Sequence, residues 1–85
     1  MPVYKIDISK SAQKQLDKLP DNTADRLINA IYNLADNPRP PGCKKLKGRD
    51  GYRIREGDYR ITYDIVDDIL LIKIIAVGHR RDIYD

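Results

Sequence analysis

Eighty-five residues with 41% hydrophobic and 34% charged side chains describe one ordinary folded domain, expected to span residues 1–85. A chain this short buries only about 60–65% of its unfolded surface, so an active site is expected on an open face or in a shallow groove. With no apolar run near membrane-spanning length, no leader pattern and a single cysteine, Cys43, the chain reads as cytoplasmic, reduced and without a membrane anchor.

The net charge of +3 is unevenly spread. Residues 1–38 carry five basic and five acidic groups, residues 39–60 carry eight and three, and residues 61–85 carry three and five. The positive field is therefore a patch in the middle of the chain, which points to a located anionic ligand.

In chain order, Val3–Ile8 alternates from Tyr4 onward and is predicted to be a strand. Ser9 or Ser11 caps a helix whose face is Ala12, Leu16 and Leu19, ending at Pro20. A second helix starts at Asp21 or Asn22 and carries Leu27, Ile28, Ile31, Leu34 and Ala35 at helical spacing until Asn37 and Pro38. The proline-rich run Pro38–Gly42 is a stiff connector. Three strands follow at Tyr52–Arg55, Tyr59–Ile65 and Ile69–Val77, joined by turns at Glu56–Asp58 and Asp67–Asp68. The nearly continuous apolar run of the last strand predicts a central position. The expected class is α+β, in the order β-α-α-β-β-β: a small, mostly antiparallel sheet with a helical hairpin on one face.

From Lys44 to Arg60 there are seven cations in seventeen residues. Turning the first hairpin over Glu56 and Gly57 sets Arg53 opposite Arg60 and Ile54 opposite Tyr59. Turning the second over Asp67 and Asp68 sets Tyr63 opposite Ile72. Tyr59, Ile61, Tyr63, Ile72, Ile74 and Ala76 then share the helix-covered face. Arg53, Arg55, Arg60, Thr62, Lys73 and, by parity, His79 share the other. Like charges directly opposite in a ladder cost a few tenths to about 1 kcal/mol. Either water screens the pair on a solvated face, or an anion sits between the two side chains.

His79 is the sole histidine and the side-chain type best suited to proton transfer near neutrality. In a small domain it is also often just a polar surface residue. Tyr84 has two readings, as a stacking or proton-donating group and as an anchor for the chain end. Lys44, Lys45, Lys47, Arg49, Lys73 and Arg81 are candidates for holding a polyanion backbone. Cys43 carries no mark of reactivity. There is no CxxC, HExxH or other metal-ligand spacing, and no glycine loop for a nucleotide, so neither metal nor cofactor is expected.

The combination of KKLKG, YRIREGDYRITY and a terminal VGHRRDIY behind a strand and a helical hairpin resembles the RelE branch of the RelE/ParE toxin superfamily of toxin–antitoxin modules. The resemblance covers essentially the whole chain. It implies a metal-independent mRNA interferase, acting in many members on the ribosome, in which the ribose 2′-hydroxyl attacks the neighbouring phosphodiester. It also implies a cognate antitoxin as partner, with mRNA and the ribosome as targets. The family's basic pair before the turn falls on Arg53 and Arg55 and its strand arginine after the turn on Arg60. Its terminal basic dipeptide falls on His79 and Arg80 and its terminal tyrosine on Tyr84. Members with lysines at the paired positions have groups that titrate more readily than Arg53 and Arg55. Two other readings stay open: a ParE-like toxin that poisons gyrase without nuclease activity, and a basic RNA- or ribosome-binding module without catalysis.

Overall fold

Two helices with one apolar stripe each, and strands with one apolar face each, bury most when both stripes lie on the same side of the sheet. The computed structural model, which describes residues 3–48 and 50–79, has that arrangement. The elements are β1 (Lys5–Ile8), α1 (Lys10–Asp17), α2 (Asp21–Asn33), β2 (Lys44–Lys45), β3 (Tyr52–Glu56), β4 (Tyr59–Val66), a 3-10 turn at Asp67–Ile69, and β5 (Leu71–His79). The sheet order is β1-β5-β4-β3-β2, with β1 parallel to β5 and every other pair antiparallel. The α+β class holds, with the two-residue strand β2 added at the edge. β5 is interior, as its apolar run implies, but the middle strand is β4.

The core joins Ala12 and Leu16 of α1 and Leu27, Ile31 and Leu34 of the α2 segment to Ile54, Ile61, Tyr63, Ile72, Ile74 and Val77. Two element ends differ from expectation. α2 stops at Asn33, and the chain tightens through Leu34, Ala35 and Asp36, each donating three residues back, before Pro38 forbids further helix. β1 begins at Lys5 because the amide of Tyr4 donates instead to the carbonyl of Ala35 at 3.0 Å.

Both hairpins pair two residues away from the expected register. The first turns over Gly57 and Asp58, with Gly57 at φ +60, in the two-residue geometry that puts glycine first. Arg53 therefore faces Thr62, Arg55 faces Arg60 and Ile54 faces Ile61. The second hairpin is longer, because the 3-10 turn and a left-handed Leu70 at φ 52 precede β5. Tyr63 consequently meets Ile74 instead of Ile72. A shift of two leaves every side chain on its expected face.

A bulge changes that beyond Ile74. Tyr63 pairs with Ile74 but Thr62 pairs with Ala76, so Ile75 has no register partner on β4. Its carbonyl accepts from Ser9 Oγ at 2.9 Å, and that hydroxyl oxygen caps α1 by accepting from the amide of Ala12 at 3.0 Å. Past the bulge the alternation inverts. Val77 faces Ile61 in the core, and Ala76, expected there, lies opposite Thr62 on the other face.

At the far end of the sheet, Asp67 accepts from the Tyr4 hydroxyl at 2.6 Å and from Arg39 at 3.1 Å. Arg39 also lies 5.3 Å over the Tyr52 ring, which stacks on Tyr63. The buried hydroxyl of Tyr63 donates to the carbonyl of Pro38 at 2.7 Å, so the connector is tied to the sheet at two points. Burial first, and its polar neighbours second, push the Tyr63 phenol far above its ordinary pKa.

Ser9→Ala removes the cap and leaves the Ile75 carbonyl without its donor. It is expected to cost about 1–3 kcal/mol, read as a lower midpoint in urea denaturation. The Tyr4 hydroxyl, and after it Arg39, hold the Asp67 carboxyl below the ordinary aspartate range. A depressed folded-state pKa stabilises above the unfolded value of about 3.9 and is lost as pH falls through the folded one. Asp67→Asn should therefore melt below the parent at neutral pH, with the two melting curves converging in acid.

Candidate functional site

Cross-strand partners share a face, so the register assigns the sheet face away from the helices row by row. One row is Lys44, Arg53, Thr62 and Ala76; the next is Arg55, Arg60 and Gly78; a third, farther along, is Asp64 and Lys73. Arg53 is 4% exposed and Thr62 2%, whereas Arg55 is exposed and Arg60 half-buried. An arginine can be this buried and remain a cation, because its proton is not lost at any ordinary pH.

Arg55 and Arg60 are direct ladder partners, with Cβ atoms on the order of 5 Å apart, and the third member of their row is a glycine. Gly78 contributes no side chain, so the third position of this row is β5 backbone alone. Such a pair can take a phosphate through several charge-assisted hydrogen bonds. The cationic opposition expected for Arg53 and Arg60 is thus realised by Arg55 and Arg60, with Arg53 one row away beside Lys44.

His79 is not on this face. The Ile75 bulge turns it to the helix side, where it faces Tyr59 and meets that ring edge-on with centroids 5.4 Å apart. There it borders a groove of about 440 Å³ between the sheet and α1, lined also by Ser11, Gln15 and Leu19. It still stands one ladder step beyond Gly78, at the end of the sheet that holds the arginine pair.

The remaining candidates divide. Lys44 joins the arginine face, whereas Lys45 pairs with Tyr52 and takes the helix side. Lys47 is exposed in the turn after β2. Lys73 faces Asp64, about 13 Å along β4 from Arg60, and is not part of the cluster. Arg49, Arg80, Arg81 and Tyr84 lie outside the described residues. Gly78, the third member of the Arg55–Arg60 row, was not among the candidates read from the sequence. Its signal was a glycine inside an apolar strand, which often marks a close approach to backbone.

Among the described residues, no three His, Cys, Asp or Glu side chains converge as metal ligands, and no helix is long and apolar enough to cross a membrane.

Residues 6–84 match the family model described as the ParE toxin of the type II toxin–antitoxin system parDE. The mRNA interferase toxin RelE of Escherichia coli K12 is 30% identical over 81 residues, covering 92% of this chain and 84% of that protein. Among solved structures, the toxin–antitoxin complex RelBE2 of Mycobacterium tuberculosis superposes with a TM-score of 0.82 at 27% identity, covering 94% of each chain. The archaeal RelE–RelB complex of Pyrococcus horikoshii gives 0.79 at 30% identity, covering 92% of this chain and 96% of that one.

Arg55→Glu replaces the repulsion across the ladder with an attraction to Arg60. The variant should gain about 0.2–1 kcal/mol in stability at low ionic strength, visible as a higher melting temperature that returns toward the parent's as salt is added.

Proposed function

The chain belongs to the RelE/ParE family of type II toxin–antitoxin toxins, and from that premise we propose that it is a RelE-type mRNA interferase. In this reading residues 1–85 act as one toxin domain in the cytoplasm, cleave mRNA on the ribosome, and are held inactive by a protein antitoxin. The observation that carries it is the direct opposition of Arg55 and Arg60 on the sheet face away from the helices, in one row with Gly78. Antitoxin control is supported by the structural neighbours, several of which are toxin–antitoxin complexes.

The reaction uses the substrate's own nucleophile. A ribose 2′-oxygen attacks the adjacent phosphorus and gives up its proton. The bond from phosphorus to the 5′-oxygen breaks, and that oxygen takes a proton, leaving a 2′,3′-cyclic phosphate and a 5′-hydroxyl. Negative charge grows on the phosphoryl oxygens at the phosphorane. Arg55 and Arg60 hold the phosphate, and Arg60 with Arg80 stabilises the added charge. Arg53 and Lys44 hold the neighbouring stretch of backbone. Preorganised donors of this kind are worth about 3–4 kcal/mol each in oxyanion sites.

Proton transfer adds roughly 10²- to 10⁴-fold, and arginine is a poor base. That step is assigned to His79 at the end of the β4–β5 ladder and to Tyr84. His79 faces the helix side, so the ribose must reach it around the sheet end while the phosphate stays on the arginine face.

The matched family description names ParE, which supports a second reading as a gyrase-directed toxin. Primer extension on cellular mRNA after brief expression separates the two. In-frame cuts establish the interferase, and intact mRNA with damaged DNA establishes the other. Arg60→Ala should lower cleavage by about 10²- to 10³-fold with little change in far-UV circular dichroism or melting temperature. Undiminished cleavage by that variant would refute the phosphate site.

A further inference from the structure

We infer that the RNA strand continues past the arginine face, around the outer edge of β3, into a polar groove between α2 and β3, where Arg26, Asn29 and Asn33 hold the nucleotides flanking the cleaved bond. This rests on the ribonuclease reading above and extends it to a substrate path.

Three features converge. First, β2 covers only Tyr52 and Arg53, so among the described residues the outer edge of β3 has no partner strand from Ile54 to Glu56. The Pro40–Gly42 connector runs beside this stretch instead, and its two prolines bring no amide donor of their own. Second, a groove of about 380 Å³ between α2 and β3 adjoins one of about 320 Å³ beside Lys44 and Arg53. The two share Pro41, Ile54 and Arg55 as walls, and Arg55 is also half of the proposed phosphate pair. The groove therefore leads directly from the reacting phosphate to the helix.

Third, the lining has the chemistry of a single-stranded nucleic acid. Among the described residues the two grooves bring Arg26, Lys44, Arg53 and Arg55 together against one carboxylate, Glu56. Arg26, Asn29 and Asn33 recur at helical spacing along one stripe of α2, and all three are exposed. A Cβ built on Gly57 would lie 3.3 Å from a terminal guanidinium nitrogen of Arg26. The Arg26 head group therefore stands at the β3–β4 turn, whose two flanking strands carry Arg55 and Arg60. Cations suit the phosphates, and the asparagine amides, each both donor and acceptor, suit the edges of unstacked bases. An acidic protein segment could also meet the cations and amides, and continuity with the phosphate pair through Arg55 is what favours RNA.

The test uses the full-length protein and 2′-O-methyl RNA oligonucleotides, which have no free 2′-hydroxyl to attack with. Lengths of two and six nucleotides are compared by fluorescence anisotropy. The parent should bind the hexamer at least about tenfold more tightly than the dimer. Arg26→Ala and the double variant N29A/N33A should bind the dimer like the parent and lose most of that gain. Arg26→Ala should also flatten the salt dependence of log K for the hexamer by about 0.7, the share of one phosphate on a single strand. All three replacements put a good helix former on an exposed helix face, and circular dichroism checks that the fold is kept.

Variants that match the parent at both lengths overturn the inference and leave the catalytic reading intact. The same holds if they lose affinity only for the antitoxin, which would assign the groove to a protein partner. If the parent binds neither oligonucleotide this path falls, and if Arg60→Ala binds the dimer as tightly as the parent the phosphate face falls and this path with it.

Discussion

The carbonyl of Ile75 has no register partner on β4, and the hydroxyl of Ser9 takes it. Much of the molecule's arrangement follows from that contact. The bulge adds one residue to β5, so Ile72 and Ile74 face the core before it and Val77 faces the core after it. In an unbroken strand Ala76 and Gly78 would point at the helices and Val77 at solvent, exchanging a well-filled core position for two small residues. The bulge leaves Ile75 43% exposed, and the burial of Val77 offsets that exposure. The same inversion sets Gly78 opposite Arg60 and sends His79 to the other side of the sheet. Core packing and site geometry are consequences of one added residue.

Because Ser9 also caps α1, the start of the helix and the phase of β5 are coupled. The amide of Ser9 extends the parallel β1–β5 ladder by donating to Ile74, so one residue belongs to a strand, a helix cap and a bulge at once. At the opposite end of the sheet, Tyr4, Arg39 and Asp67 fasten the connector to the second hairpin. The arginine pair lies past the bulge, beside the β3–β4 turn, on paired strands that hold side-chain positions more closely than loops would allow. That rigidity keeps two like charges facing each other. A loop-borne pair would swing apart, and the site would lose its preorganisation together with its repulsion.

The faces of the sheet were legible in the sequence because alternation survives any even slip, and both hairpins slipped by two. The cationic face and the apolar face of β3 and β4 are therefore as read. The pairing within the faces was not legible, since it depends on where each turn closes. Gly57 with Asp58 closes the first hairpin, and a left-handed Leu70, which no sequence rule favours, lengthens the second. His79 was misassigned because a bulge has no fixed sequence mark, and the hydroxyl that stabilises this one sits sixty-six residues away in the chain. β2 escaped notice because two lysines have little strand propensity and pair only through the neighbouring strand. The α2 groove was invisible for another reason: Arg26, Asn29 and Asn33 form an ordinary polar helix stripe until the connector and the bare β3 edge are brought beside it.

Arginine at positions 53 and 55 also constrains the chemistry. A lysine as buried as Arg53 would have its pKa lowered by desolvation and could drift toward acting as a base, whereas a guanidinium stays charged wherever it is put. In the ribonuclease reading proposed above, the face built from Arg53, Arg55 and Arg60 therefore serves to bind and stabilise a phosphate. In that reading acid–base work comes from outside the face, and the bulge that turns His79 away from the arginines separates the two proposed tasks in space. A substrate satisfying both must have its phosphate on one face and its ribose at the strand end, a bend that single-stranded RNA can make and a stacked duplex resists. Under the proposed function, the geometry of the sheet end would thus favour an unpaired, distorted strand.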